Sequence, residues 1–175
     1  MAIRPGRTVR EPRRAWSRTA KRVANKAYVK GVPDSRIHIF EMGSPSKSDE
    51  FETQIDLICR GSIQVRDNAL EAARVTANKL FEKMILPENY FFKVKLYPHQ
   101  CLREHSMLTG AGADRLSDGM RLSFGRPTGR AAVVKSGQTI MTVYTTKKFK
   151  DFAVQGIERA ARKIAGSCYA EEKKK

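Results

Sequence analysis

The chain has 175 residues, enough for one domain with a real core, and 34 Lys and Arg against 18 Asp and Glu give it a formal net charge of +16. A charge that large carries self-repulsion, and a polyanionic partner, nucleic acid before others, is the simplest reason to keep it. Three cysteines without a framework spacing point to a reducing compartment and no disulfide scaffold; no apolar stretch reaches the roughly 18 residues of a membrane span.

Residues 1–30 read as an extended basic arm. Pro5, Gly6 and Pro12 break any early helix, and seven Arg and three Lys face a single acid, Glu11. Such a segment is expected to order only on a polyanion. The basic N-terminus has no apolar centre, so it is not a secretory signal. A turn at Gly31-Val32-Pro33-Asp34 leads to a predicted strand over 37–42, a polar loop over 43–49, and a second strand over 51–59, in which Phe51, Thr53, Ile55, Leu57 and Cys59 share a face. Cys59 is then a small buried apolar residue.

With Ser62 as N-cap, residues 63–85 are predicted to form the main helix, its stripe made by Leu70, Ala73, Ala77, Leu80, Phe81 and Met84. Pro87 ends it. Residues 90–97 alternate as a strand. Residues 131–135 and 139–145 are expected to pair as a hairpin around Ser136-Gly137. Residues 151–165 form a second amphipathic helix, and 171–175 a frayed charged tail. This order predicts an α+β fold, two helices packed on a mixed or antiparallel sheet. It divides the chain into a basic extension 1–30, a single domain 31–166 and a charged tail 167–175.

Between the predicted strands lies the most unusual segment, the long stretch from Leu102 to Arg130. It has five glycines, at 110, 112, 119, 125 and 129, and no hydrophobic period. Connections this long in a compact domain are usually functional or disordered. Arg103, Arg115, Arg121, Arg126 and Arg130 face only Glu104, Asp114 and Asp118. Residues 93–150 as a whole carry net +8, residues 1–30 net +9, and residues 31–92 net −3. Two basic blocks therefore flank a near-neutral folding unit, where a merely solvated surface would mix both signs. A flexible cationic loop held at both ends by a sheet suits contact with a polyanion.

Chemistry of other kinds finds little support. His99, Cys101 and His105 do not have zinc-ligand spacing, and no further Cys pair follows. Cys101 lacks an orienting carboxylate that would make it a nucleophile. Gly110-Ala111-Gly112-Ala113-Asp114 lacks the Lys-Ser/Thr end of a phosphate-binding loop. No cofactor, metal, membrane or small-molecule substrate is expected. Two rival readings are an RNA-processing enzyme using Asp114 and His105, and a free architectural nucleic-acid binder.

From Met107 the sequence runs MLTGAGADRLSDGMRLSFGRPTG. It closely resembles the universal large-subunit ribosomal protein L-sixteen family in its archaeal and eukaryotic branch, L-ten-e, whose members carry M-L-[ST]-x-A-G-A-D-R-L-x-x-G-M-R-x-x-F-G-[KR]-P. Arg4-Pro5, Gly31 to Asp34, Ile37 to Gly43 and Ala69 to Arg74 also match, and the similarity spans roughly residues 1–165. Residues 13–27 align poorly, and Gly110 stands where eukaryotic members commonly have Cys. The end of the chain at 175, without the eukaryotic C-terminal extension, points to an archaeal source and a cytoplasmic ribosome.

The resemblance implies a hammerhead-like α/β sandwich seated among rRNA helices beneath the central protuberance, with neighbouring ribosomal proteins. Peptide-bond chemistry would be left to the rRNA, so no enzyme activity is expected. The basic side chains Arg4, Arg7, Arg10, Arg13, Arg14, Arg18, Lys21, Arg22, Arg126 and Arg130 are then the expected rRNA-binding set. The family's loop points toward the peptidyl-transferase centre and the tRNA acceptor end. That makes Arg103, Thr109, Gly110, Gly112, Asp114, Arg115, Met120 and Arg121 the expected tRNA-proximal set.

Overall fold

A computed structural model describes Val9 and residues 29–105, 110–112, 115 and 118–174. Eight strands and two helices follow one another: β1 (Glu41–Gly43), β2 (Thr53–Cys59), β3 (Ile63–Arg66), α1 (Asp67–Met84), β4 (Tyr90–Val94), β5 (Gln100–Glu104), β6 (Arg126–Val134), β7 (Thr139–Thr145), α2 (Lys150–Ala161) and β8 (Cys168–Lys174). A five-stranded sheet has the order β1-β4-β7-β2-β8 and a three-stranded sheet the order β3-β6-β5. Every pairing is antiparallel. The fold is α+β, with two helices packed on antiparallel sheets.

One core joins both layers. Leu70, Ala73, Ala77 and Phe81 of α1 are buried with Ile55 and Leu57 of β2, Phe92 of β4, Val134 of β6, and Met141 and Val143 of β7. Phe81 packs against Tyr90 and Phe92, with ring centroids 5.5 and 5.4 Å apart. Its ring occupies the place where a Cβ on Gly156 would stand, 2.1 Å from its Cε1. Gly156 therefore lets α2 close on α1. Met84 departs from the expected stripe: it lies in the last turn and is 42% exposed.

Asp56 is the unusual group of the five-stranded sheet, a carboxylate only 1% exposed. It accepts hydrogen bonds from Thr142 Oγ1 (2.7 Å) and Gln54 Nε2 (2.9 Å), and Lys173 Nζ lies 3.1 Å away. Burial opposes its charge, but the hydrogen bonds from Gln54, Thr142 and Lys173 and the charge of Lys95 outweigh burial and hold its pKa below the ordinary value.

Four expectations change. The main helix begins at Asp67, because residues 63–66 are taken as β3 by pairing with the end of β6, Ile63 opposite Val134. Asp67, rather than Ser62, receives local amide groups, the N–H of Asn68 at 2.8 Å and of Arg36 at 3.1 Å. β6 and β7 do not form a hairpin but belong to different sheets. The turn between them, with Gly137 at φ +76, is tied instead to the end of β2: Gly137 N donates to Cys59 O at 2.8 Å and Ser136 Oγ to Arg60 O at 2.6 Å. The predicted frayed tail is strand β8, paired with β2 along its length from Cys59 opposite Cys168 to Thr53 opposite Lys174. The first strand is short, Glu41–Gly43, although Phe40 O still accepts from Val94 N at 2.8 Å.

A cationic hairpin arm as candidate nucleic-acid interface

Strand β6 divides its work. Residues 131–134 pair with β3, where Ala131, Ala132 and Val134 are buried in the core. Residues 126–131 pair with β5. The true hairpin is thus β5–β6, and the glycine-spaced connection is 105–125, shorter at both ends than the stretch from 102 to 130. Burial falls away along the strand toward exposed Arg126 and Thr128. The pair acts as an arm, anchored in the core at one end and presenting the basic connection at the other.

Three contacts fix this arm. Arg130 donates from Nε to Pro33 O at 2.8 Å, joining it to the turn that precedes the domain. Arg103 donates from Nη1 to Gly125 O at 3.2 Å and places its guanidinium over the Phe124 ring, 4.6 Å from the centroid. Gly125 itself rests on the backbone of Glu104, where a Cβ would sit 2.8 to 3.0 Å from its carbonyl and amide atoms. A bulge between Leu102 and Arg103 turns the strand at this point. Arg103 Nε is buried without a hydrogen-bond partner.

Beyond Gly125 the described residues are exposed. A single 3₁₀ turn, Gly119–Leu122, presents Met120 and Arg121, and Arg121 N donates to Asp118 O at 3.2 Å. Met120, Leu122 and Phe124 are 68, 63 and 69% exposed, an apolar group among cations. Gly110, Gly112 and Gly119 have φ of +136, +82 and +54, so these positions favour glycine for its backbone and not for space. Arg115 is exposed, with its N–H donated to Gly112 O at 3.2 Å. Among the described residues, Arg103, Arg115, Arg121, Arg126 and Arg130 make no salt bridge, whereas lysines on the five-stranded sheet and the loops nearby do.

The expected residues therefore separate. Arg103 and Arg130 are pinned within the arm, and Arg115, Met120, Arg121 and Arg126 are presented to solvent with Gly110 and Gly112. Arg4, Arg7, Arg10, Arg13, Arg14, Arg18, Lys21, Arg22, Thr109 and Asp114 lie outside the described residues. Phe124 as the ring beneath Arg103 went unread in the sequence; an aromatic among five arginines was its only signal. A groove of about 390 Å³ beside the arm is lined by Asp34, Asp67 and Glu104 as well as Arg36 and Arg66, too balanced in sign for a phosphate site. Among the described residues no group of three or more His, Cys, Asp or Glu is placed to hold a metal ion. Cys101 is buried, which raises its thiol pKa and disfavours the thiolate. No helix of the described residues is long and apolar enough to cross a membrane.

Fold and arm together define a class: a small basic α+β protein that holds an unneutralised arginine-bearing arm clear of its core. Residues 15–170 match the family Ribosomal protein L16p/L10e. The chain is 43% identical to the large ribosomal subunit protein uL16 of Archaeoglobus fulgidus over 155 residues, 89% of this chain and 88% of that one. It is 40% identical to the protein of the same name from Methanococcus maripaludis and 39% to that of Methanococcus aeolicus, each over 169 residues, 96% of this chain and 92% of the relative. The chain belongs to the L16p/L10e family of ribosomal proteins, in its archaeal branch; it is a structural ribosomal protein, not an enzyme.

Proposed function

We propose that this protein is a component of the large ribosomal subunit that binds rRNA through its basic N-terminal extension and its β5–β6 arm, and that the connection 105–125 approaches tRNA. The observation that carries this reading is the arm itself. Arginines without acidic partners sit on a hairpin whose geometry is held by backbone contacts, so their positive charge is kept for something outside the chain. A guanidinium suits such a partner because it pairs bidentately with phosphate and stacks on bases. The large-subunit assignment of the archaeal relatives supports the location.

Arg115 and Arg121 test the tRNA part. Both are exposed and make no salt bridge among the described residues, so replacing both with Ala is expected to leave the thermal midpoint within about 2 °C of wild type, as surface substitutions usually do. Reconstituted subunits carrying the double variant are expected to retain P-site tRNA less well. A variant that assembles and holds tRNA normally would limit the role to rRNA scaffolding. One that unfolds would show the connection to be part of the stability of the domain.

A further inference from the structure

At the end of β5 away from the basic connection lies a feature that the arm does not use. Strand β5 is five residues long, so its two ends are separated by about 17 Å. Before it, the segment from Val94 to His99 alternates: Val94, Leu96 and Pro98 are buried, while Lys95, Tyr97 and His99 are exposed. Three rings line up there. Phe40, partly buried against the core, stacks on Tyr97 with centroids 5.6 Å apart and planes 28° apart. Tyr97 in turn lies 4.6 Å from His99, with a 48° tilt. The foot of this ladder is in the core and its head is in water.

The ladder is held before any partner arrives. Pro98 fixes its own φ and restricts Tyr97 before it to extended conformations. His99 N donates to Tyr97 O at 3.0 Å, closing a tight turn that brings the two rings together. Tyr97 remains 43% exposed. The surroundings are cationic: from Tyr90 to Arg103 the chain has Lys93, Lys95, Arg103 and no acid. A rigid aromatic face bordered by cations, on a chain of net charge +16, matches the physics of an unpaired nucleobase stacking while its phosphates meet lysine. A protein partner has no comparable reason to prefer a cationic rim here.

We propose that the Phe40–Tyr97–His99 ladder is a second RNA-contact surface, separate from the arm, on which an unpaired base stacks against Tyr97 and His99. The proposal rests on the rRNA-binding reading and specifies one surface and one kind of RNA element. The probes are a single-stranded oligoadenylate of about ten nucleotides, within the length range such platforms engage, and a fully paired RNA duplex of equal length. Loss of one stacking contact on Tyr97→Ala is expected to weaken single-strand binding about 5- to 150-fold, with Tyr97→Phe near wild type and duplex binding unchanged. Because Tyr97→Ala also uncovers Phe40, a second variant guards against misfolding. Trp16 is the only tryptophan in the chain, so Tyr97→Trp in a Trp16→Phe background places a lone fluorophore on the ladder. Its emission is expected to be quenched by the single strand and not by the duplex. A folded Tyr97→Ala protein with unchanged single-strand affinity, or an indole that the single strand does not quench, overturns the platform while leaving the rRNA reading intact. Failure of the wild-type protein to bind either RNA would instead remove the rRNA reading beneath it.

Discussion

Two glycines of the basic stretch, Gly125 and Gly129, look alike in sequence and are predicted to behave oppositely. Neither has a left-handed backbone, so Ala is conformationally acceptable at both. At Gly129 a new Cβ meets nothing within 4 Å. At Gly125 it meets Glu104 C, N and O at 2.8, 2.9 and 3.0 Å, and these are backbone atoms that cannot rotate aside. Overpacking of that kind costs about 1–3 kcal/mol. Movement of residue 125 also lengthens the 3.2 Å bond from Arg103 to its carbonyl, and a hydrogen bond from a charged donor is worth roughly 1.5–3 kcal/mol, less where water reaches it as here. A combined cost of about 3 kcal/mol corresponds to a fall of about 6–12 °C in Tm for a chain of this size. Gly129→Ala is expected to stay within about 0.5 kcal/mol of wild type. If the arm opens locally, the Tm shift is smaller and the loss appears as faster amide exchange in β5 and β6. Thermal melts and hydrogen exchange on both variants decide the matter. Equal shifts in both measurements would refute the claim that Gly125 is the point where the connection is pinned to β5.

Two further outcomes concern the five-stranded sheet. The pKa of Asp56 is held below its ordinary 3.8, so its charge contributes stability that is complete above that value and is lost as pH falls through the lower, folded value. Asp56→Asn is expected to cost about 1–3 kcal/mol near neutrality and to give a Tm that falls less steeply than wild type below about pH 4; parallel acid curves would contradict this. The Cys168 thiol, opposite Cys59 across β2 and β8, is pushed up to about 12, chiefly by burial and further by Cys59. From an ordinary value of 9.0, that shift lowers the thiolate fraction at pH 8 about 10³-fold, so native protein is expected to react slowly with a disulfide reagent and denatured protein quickly. A fast equivalent in the native state would show that β8 does not cover this thiol.

Helices and the presence of a basic arm were legible because they depend on local regularities. The stripe Leu70, Ala73, Ala77, Leu80 and Phe81 is buried as its spacing implies. Met84 is not, because the last turn of α1 runs past the element it packs on. Residues 63–66 were misread for a physical reason: Ile63 and Val65 fit the start of an apolar stripe as well as a strand, and only pairing with β6 decides between them. Ser136-Gly137 supplied a correct turn with the wrong consequence. A turn fixes where the chain reverses, not whether the flanking strands pair, and here two carbonyls at the end of β2 redirect it between sheets. The tail misread as frayed has charged residues, Glu171, Glu172 and Lys173, whose partners Lys150 and Asp56 are distant in sequence.

The arm shows why charge alone could announce an interface without drawing it. All five arginines contribute equally to a net charge, yet two of them spend their donors inside the protein. Arg130 reaches a carbonyl 97 residues earlier in the chain, and Arg103 one 22 residues later. Neither acceptor carries a charge, so no pattern of opposite signs in the sequence could have marked them. The consequence is a division of labour within one cationic stretch. Arg103 and Arg130 give the hairpin its shape, and Arg115, Arg121 and Arg126 remain exposed for a partner. Positional precision then comes from the rigid β5–β6 ladder and its bulge, while the glycines with positive φ let the exposed connection follow a path that residues with side chains would resist. A polyanion bound by such an arm meets cations at fixed spacing near the ladder and an adaptable backbone beyond it, an arrangement that uniform basicity would not provide.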